Sequence, residues 1–164
     1  MAHSVVIRDV RPEDVEAIVD IALAAWEPIN VYRRKVMEDE LFAAAVPDWQ
    51  GRKARDIRSA CAPGSGATVC VAEDGGQIVG FVTFYVHDAS RIGEIGNNAV
   101  HPAFRGKGIA TAMYQHAFER LRERGMRFVR AATGGDQAHA PARRAYERAG
   151  FSLRMPYVHY YCKL

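Results

Sequence analysis

EIGNNAVHPAFRGKGIA, residues Glu94 to Ala110, is the stretch on which the fold turns. It follows the apolar run QIVGFVTFYV (Gln77 to Val86) and precedes a helical pattern, so its first part is expected to be a β-strand ending at Val100. That strand is unusual, because Gly93, Gly96, Asn97 and Asn98 are among the poorest strand formers and Glu94 adds a carboxylate. The second part, RGKGIA (Arg105 to Ala110), lies between the strand end and the helix start. Glycines at 106 and 108 let successive amide N–H groups converge on one point, where the helix N-terminus, Arg105 and Lys107 all favour an anion. Alone, this stretch reads equally as a phosphate cradle or as a glycine-rich turn with incidental basic residues. No GxxxxGK[ST] occurs, nor a GxGxxG followed by an acid in a parallel βαβ unit, which argues against a P-loop and a Rossmann site.

Working outward, ATVCVAEDGGQIVGFVTFYV reads as a hairpin, two β-rich runs separated by DGG. Toward the N-terminus, SVVIRDV reads as a strand and RPEDVEAIVDIALAAW as a helix opened by Pro12 and ended at Pro28, with an apolar stripe of Val15, Ile18, Val19, Ala22 and Trp26. A less regular helical region covers about Val31 to Cys61, interrupted at Pro47. Toward the C-terminus, a helix with the stripe Ala110, Met113, Tyr114, Ala117, Phe118 and Leu121 stops at Gly125. Then come a strand RFVRAAT, a shorter helix from Pro141 to Gly150 and a last strand VHYYCKL. The expected fold class is a mixed α/β (α+β) arrangement, with a mostly antiparallel central sheet of about six to seven strands flanked by helices in one domain, residues 1–164.

Composition narrows the function classes. With 49% apolar and 25% charged residues the chain is globular in character, and no apolar run approaches the roughly 20 residues of a membrane span. The opening MAHSVVIRDV lacks the pattern of a signal peptide, so a cytoplasmic location is expected. Three widely spaced cysteines (Cys61, Cys70, Cys162) suggest neither a disulfide framework nor a zinc site, and the six histidines show no HExxH, so no metal is expected. A net charge of +3, with Arg interleaved among acids on helical faces, gives no basic tract for nucleic acid.

The motif NNAVHPAFRGKGIATAMYQHAFERLRERG, together with the later HAPARRAYERAGF, resembles the GCN5-related N-acetyltransferases, the GNAT family. RGKGIA matches the family's [Q/R]xxGx[G/A], and the later motif its NxxAxxxYExxGF, with His139 where the family often has Asn. The resemblance implies a GNAT fold with acetyl-CoA as donor. In that family the strand before the phosphate loop is bulged and splays from its neighbour to admit pantetheine, which accounts for Gly96, Asn97 and Asn98. It implies pantetheine along Asn98, Ala99 and Val100, and pyrophosphate on Arg105, Gly106, Lys107, Gly108, Ile109 and Ala110. His139 is then a further contact to the phosphopantetheine or a helix-start residue with no ligand role.

The same resemblance assigns Glu94 as general base, directly or through a water, and Tyr146 as the acid that protonates the departing sulfur. Glu94 could equally orient a cationic substrate, and Tyr146 could be ordinary core. The backbone N–H of Asn98 is the implied oxyanion donor. The acceptor side is drawn from Trp26, Glu27, Tyr32, Trp49, Tyr157, His159 and Tyr160. The expected acceptor is the primary amine of a small molecule, with a protein N-terminus or lysine as the second choice. An acyl-CoA-binding sensor without turnover and a nucleic-acid-binding protein are the readings from other classes. No nucleic-acid or membrane partner is expected, and a homodimer is the default assembly.

Overall fold

The structure, a computed structural model, describes residues 5–164. Its centre is a five-stranded sheet in the order β1 (Val6–Asp9), β2 (Thr68–Asp74), β3 (Gln77–His87), β4 (Ile92–Val100) and β5 (Phe128–Ala131). The first four strands are antiparallel neighbours and β5 runs parallel to β4. Ser4, at the head of the expected first strand, lies outside the described residues. The DGG signal makes the β2–β3 hairpin as expected: Gly75 and Gly76 form its two-residue turn at φ 59° and 85°, a conformation open to glycine at little cost.

Four helices cover the sheet: α1 (Val15–Ala45), α2 (Trp49–Cys61), α3 (Ile109–Glu123) and α4 (Ala140–Ala149). Ile18, Val19, Ile21 and Ala22 of α1 and Ala54 and Ile57 of α2 pack with Val69, Val71 and Phe81 on one face. Met113, Tyr114, Ala117 and Leu121 of α3 and Ala145, Tyr146 and Ala149 of α4 pack with Cys70, Val82, Phe84 and Ile95 on the other. Alternation along β2 and β3 sends successive side chains into these two cores, which explains their near-continuous apolar sequences. At the sheet's start, Arg8 bridges Asp14 (2.7 Å) and Glu73 (2.6 Å), and the Arg8 hydrogen bond holds the buried Asp14 carboxyl below its usual range.

Three expectations need correction. Pro28 does not end the first helix: α1 continues through it to Ala45, and its break lies at Glu38, with φ 61° and ψ 169°. One proline removes a single backbone donor, which leaves the Ala24 carbonyl without its intrahelical partner; two residues on, Asn30 donates its side-chain amide to the Trp26 carbonyl at 3.0 Å. The strand count is five among the described residues, not six to seven. The expected last strand, VHYYCKL, is not paired; residues 151–164 form no regular element, and Tyr157 and Tyr160 are 86% and 90% exposed. A β-favouring composition makes a strand only when the segment docks on a sheet edge, which this segment does not do.

Candidate active site

β4 changes character at Gly96. Val82 stands opposite Asn98 and Phe84 opposite Ile95, so Gly96 and Asn97 share the place opposite Thr83, which is a β-bulge. A Cβ on Gly96 would lie 2.6 Å from Thr83 Oγ1 and 2.8 Å from the Tyr85 ring, so only glycine lets the strands close there. The parallel ladder with β5 stops at Ile95–Ala131. Beyond it the edge of β4 from Gly96 to Val100 has no strand partner among the described residues, leaving a wedge between β4 and the chain leading to α4.

Asn98 lies on the wedge side. Tyr114 donates its hydroxyl to Asn98 Oδ1 (2.7 Å), and Asn98 Nδ2 donates to the hydroxyl oxygen of Tyr146 (2.9 Å) and to the Gly96 carbonyl (2.9 Å). The two tyrosine rings stack at 5.2 Å, and Phe151 meets Tyr146 edge-on. Tyr146 is 8% exposed, and burial pushes its hydroxyl above the ordinary tyrosine pKa, against the pull of the Asn98 bond. Burial does the same to Tyr114. Both are neutral phenols at physiological pH, and the Tyr146 oxygen accepts the Asn98 bond.

Asn97, the next residue back, serves the opposite face. Its Oδ1 accepts from Lys53 Nζ of α2 at 2.9 Å, and that ammonium lies 4.2 Å from the centre of the Trp26 ring of α1. Burial pulls the Lys53 pKa down. Glu94, on the fully paired half of β4, receives Arg130 Nε at 2.9 Å and Nη2 at 2.5 Å, and meets His87 Nε2 at 3.1 Å. All three fall on Oε2, and the Arg130 hydrogen bond, with His87 behind it, holds the carboxyl below its usual range.

The loop from Arg105 to Ala110 has the expected shape. Gly106 and Gly108 sit at φ 80° and 78°, and Gly108 caps α3. Neither would meet another atom with an added Cβ, so what glycine supplies there is backbone angle rather than space. Arg105 Nε reaches the Val100 carbonyl at 3.4 Å, joining this loop to the end of the wedge, and Lys107 leans over the Phe104 ring at 4.9 Å. The first amides of α3 have no intrahelical acceptor and point into this loop. The side of β4 from Asn98 to Val100 that faces away from β3 and the turn at residues 106–110 lie end to end, an arrangement that suits an extended ligand ending in phosphates.

Other expected residues fall less neatly. His139 gives its Nδ1 to Asp136 Oδ2 at 2.6 Å, which occupies that nitrogen within the turn before α4. Trp26 is half-buried at the site, whereas Glu27 is exposed on α1, and Tyr32 and Trp49 are half-buried. Trp49 lines a cleft of about 410 Å³ with Arg34 and Phe42; a second cleft of about 580 Å³ lies by Arg11 and Cys61, and neither includes Glu94 or Tyr146. Tyr157, His159 and Tyr160 lie on the exposed C-terminal arm and are not brought to Trp26 within the chain. Sequence reasoning missed Lys53, Arg130, Tyr114 and the Asn98 side chain. Lys53 carries a readable signal, a lysine next to Ala54 on the stripe that includes Ile57 and Ala60; Arg130 opposite Glu94 depends on a strand register that spacing does not give.

Among the described residues one donor cluster occurs elsewhere, with Asp9, Cys70 and His116 ligand atoms within 4.8 Å of one another. Arg120 already occupies Asp9 at 2.8 Å, and burial pushes the Cys70 thiol up to about 12.

The model of the family described as "Acetyltransferase (GNAT) family" matches residues 31–151. A mycothiol acetyltransferase of Sanguibacter keddieii is 38% identical over 87 residues, covering 50% of this chain and 27% of that protein. The chain spans about half, or less, of the length of the curated relatives it matches. Among solved structures, the PaiA N-acetyltransferase from Thermoplasma acidophilum in complex with coenzyme A superposes with a TM-score of 0.70 at 16% identity, covering 92% of this chain and 91% of that one. A GNAT family acetyltransferase from Brucella melitensis in complex with acetyl-CoA gives 0.59 at 22% identity, covering 94% and 92%. At those identities the likeness is one of fold.

Proposed function

The chain belongs to the GNAT acetyltransferase family, and from that premise we propose that it transfers an acetyl group from acetyl-CoA to a primary amine of a small molecule by direct attack on the thioester. The observation that carries this reading is the Tyr114–Asn98–Tyr146 network, which fixes the Tyr146 hydroxyl beside the part of β4 that β5 leaves unpaired. Acetyl-CoA supplies the activated acyl group. The backbone of Asn98, Ala99 and Val100 pairs with its pantetheine arm, and Arg105, Lys107 and the amides from Gly106 to Ala110 hold its phosphates. His139 keeps at most Nε2 for such a contact, since Asp136 holds the other ring nitrogen.

Tyr146 works as the acid. Its raised pKa keeps the proton in place until a thiolate forms, and sulfur takes it as the carbon–sulfur bond breaks. The Asn98 N–H steadies the carbonyl oxygen as the amine adds. Glu94 acts at the other face. A carboxylate held low by Arg130 is a weak base, so the role it supports is attraction of the acceptor ammonium and passage of its proton through a water on Oε1. An alkylamine of pKa about 10 must lose that proton before it can attack.

Lys53 under Trp26 narrows the approach to the bulge, which favours a compact acceptor over a protein segment. The same proposal treats residues 1–164 as one domain, located in the cytoplasm and assembled as a homodimer. Among the described residues no helix is long and apolar enough to cross a membrane.

The test is thiol release from acetyl-CoA across a panel of amines, amino acids and short peptides, beside Tyr146→Phe and Glu94→Gln. Turnover confined to small amines, reduced in both variants, is the expected result. Turnover on peptides alone would move the substrate to protein; acetyl-CoA binding without any turnover would make the chain a sensor, and no binding would sink the proposal.

A further inference from the structure

The sheet face covered by α1 and α2 carries positive charge with no anion to match it. Lys53 of α2 is half-buried, and its ammonium has two partners, Asn97 Oδ1 at 2.9 Å and the Trp26 ring at 4.2 Å, both neutral. Arg33 of α1 is also half-buried, close enough for its charge to act on Lys53, and in no ion pair among the described residues. It stands seven residues after Trp26, two turns along the same side of α1. The carboxylate whose charge acts on Lys53 is Asp56, one turn along α2, which is exposed and makes no ion pair with it. Burial is the main cause that pulls the Lys53 pKa down, and Arg33 pulls the same way. Half-buried charges are ordinarily paired, and these two are not.

Glu94 lies on the same face. Tyr85 stands opposite Glu94 in the ladder, and a Cβ on Gly96 would meet both Tyr85 and Thr83, so Glu94 and Gly96 share a side of β4. The bulge keeps Asn97 on that side as well, toward Lys53. Glu94 and Asn97 are therefore three residues apart, about 10 Å along the strand. Beside Gly96 lies Thr83, 1% exposed, whose Oγ1 has no hydrogen-bond partner among the described residues. One end of this strip is a carboxylate with Oε2 held by Arg130, and the other is a pair of cations.

We propose that Lys53 and Arg33 form an anion subsite, and that the acceptor is an amine that also carries a carboxylate or phosphate group a few bonds from its nitrogen. The ammonium of such a molecule goes to Glu94 and its anion to Lys53, so that it lies along the strip from one end to the other. Lys53 serves as a mobile point charge, and Arg33 adds a planar fork that suits either anion. An amine with no anionic group satisfies Glu94 and leaves both cations unmatched, which is a basis for discrimination. The service of the subsite to an acceptor rests on the acetyltransferase reading, whereas the subsite itself does not.

Trp26 reports on the subsite directly. In a Trp49→Phe background it is the sole tryptophan, and its fluorescence is followed while β-alanine, O-phosphoethanolamine or β-alaninamide is added. A saturable change with an anionic probe and none with the amide is expected, and the tighter of the two anionic probes separates carboxylate from phosphate. Lys53→Arg should retain the response, and the double variant Lys53→Met, Arg33→Met should lose it with cooperative thermal unfolding retained. Thiol release from acetyl-CoA with the same three amines reads the acceptor role. An anionic amine is expected to be used about tenfold better than the amide, through KM, with a few-fold of that preference lost in Lys53→Met and all of it in the double variant. Comparing variants cancels the difference in intrinsic reactivity between the amines. No response to either anionic probe, or a response that survives the double variant, would overturn the subsite. A response without thiol release would overturn only its use by an acceptor, and thiol release with no anionic preference would leave the enzyme standing and overturn the subsite's part in acceptor choice.

Discussion

From Ile92 to Ile95, β4 is paired on both edges, antiparallel to β3 and parallel to β5, whereas from Gly96 to Val100 it keeps β3 alone. The first half holds Glu94 in a fixed cage of Arg130 and His87. The second half leaves one edge open, which the proposed function gives to acetyl-CoA. Ordinary sheet pairing fixes side chains, and interrupted pairing exposes backbone; one strand does both because a single bulge separates them.

Tyr146→Phe should break the second half's chemistry most severely. General acid catalysis contributes roughly 10²–10⁴-fold, so steady-state assays should show a kcat loss of about 10²-fold or more. The ring stacking on Tyr114 persists in that variant, and KM for acetyl-CoA should change little. An unchanged kcat would remove Tyr146 from the mechanism.

Asn98→Ala strands two buried phenol groups at once. Leaving a buried polar group unsatisfied costs about 1–3 kcal/mol, so calorimetry should show a lower melting temperature, with turnover down roughly tenfold as Tyr146 loses its fixed orientation. A variant that melts like the parent would show that Asn98 is not holding the tyrosines.

Two alanine substitutions sharpen the contrast directly. A Cβ at Gly93 meets the ends of the Leu121 side chain at 2.6 Å, and one at Gly96 meets Thr83 and the Tyr85 ring. Overpacking of this kind costs about 1–3 kcal/mol, and both variants should lose stability in denaturant titration. Only Gly96→Ala should also lose turnover, because only it moves the bulge; equal loss of turnover in Gly93→Ala would erase the distinction between the halves.

Arg130→Gln tests the paired half. Removing the main cause of the lowered Glu94 pKa lets that carboxyl rise toward its ordinary value, so the acid limb of the kcat/KM profile should move to higher pH. The sign for stability follows from the same shift. Glu94 stabilises the native state above its ordinary pKa, and that contribution is lost as pH falls through its native value; in Arg130→Gln most of it should be gone at every pH. An acid limb that stays in place would assign it to another group. The smallest effect is expected from Lys53→Met, a few-fold change in acceptor KM with kcat preserved, since Lys53 borders the approach and touches Asn97 alone on β4.

The bulge and the glycine turn before α3 were legible in the sequence because glycine answers a local need: a close approach at Gly96 and positive φ at Gly106 and Gly108. The hairpin was legible at Gly75 and Gly76 for the same reason. Pro28 misled because the turn that it follows is already fixed on the sheet by Ile18, Val19, Ile21 and Ala22, and one missing bond does not end such a helix. Tyr114 was read as core from its position in an apolar stripe, which is correct for the ring and silent about the hydroxyl. Arg130 and Lys53 reach the site only through strand register and helix docking, which are tertiary facts. VHYYCKL has the composition of a strand, but it pairs with no strand among the described residues, which composition alone does not decide.

Because the bulge turns Asn97 toward Lys53 and Trp26, and Asn98 toward Tyr114 and Tyr146, adjacent residues report to opposite sides of the sheet. Under the proposed function, donor chemistry and acceptor choice are thereby uncoupled at the scale of one peptide bond. Mutational drift or deliberate redesign can rework Asn97, Lys53 and Trp26 to admit a new amine while the thiol-releasing machinery stays untouched, which makes this strand a natural seam for changing what the protein modifies.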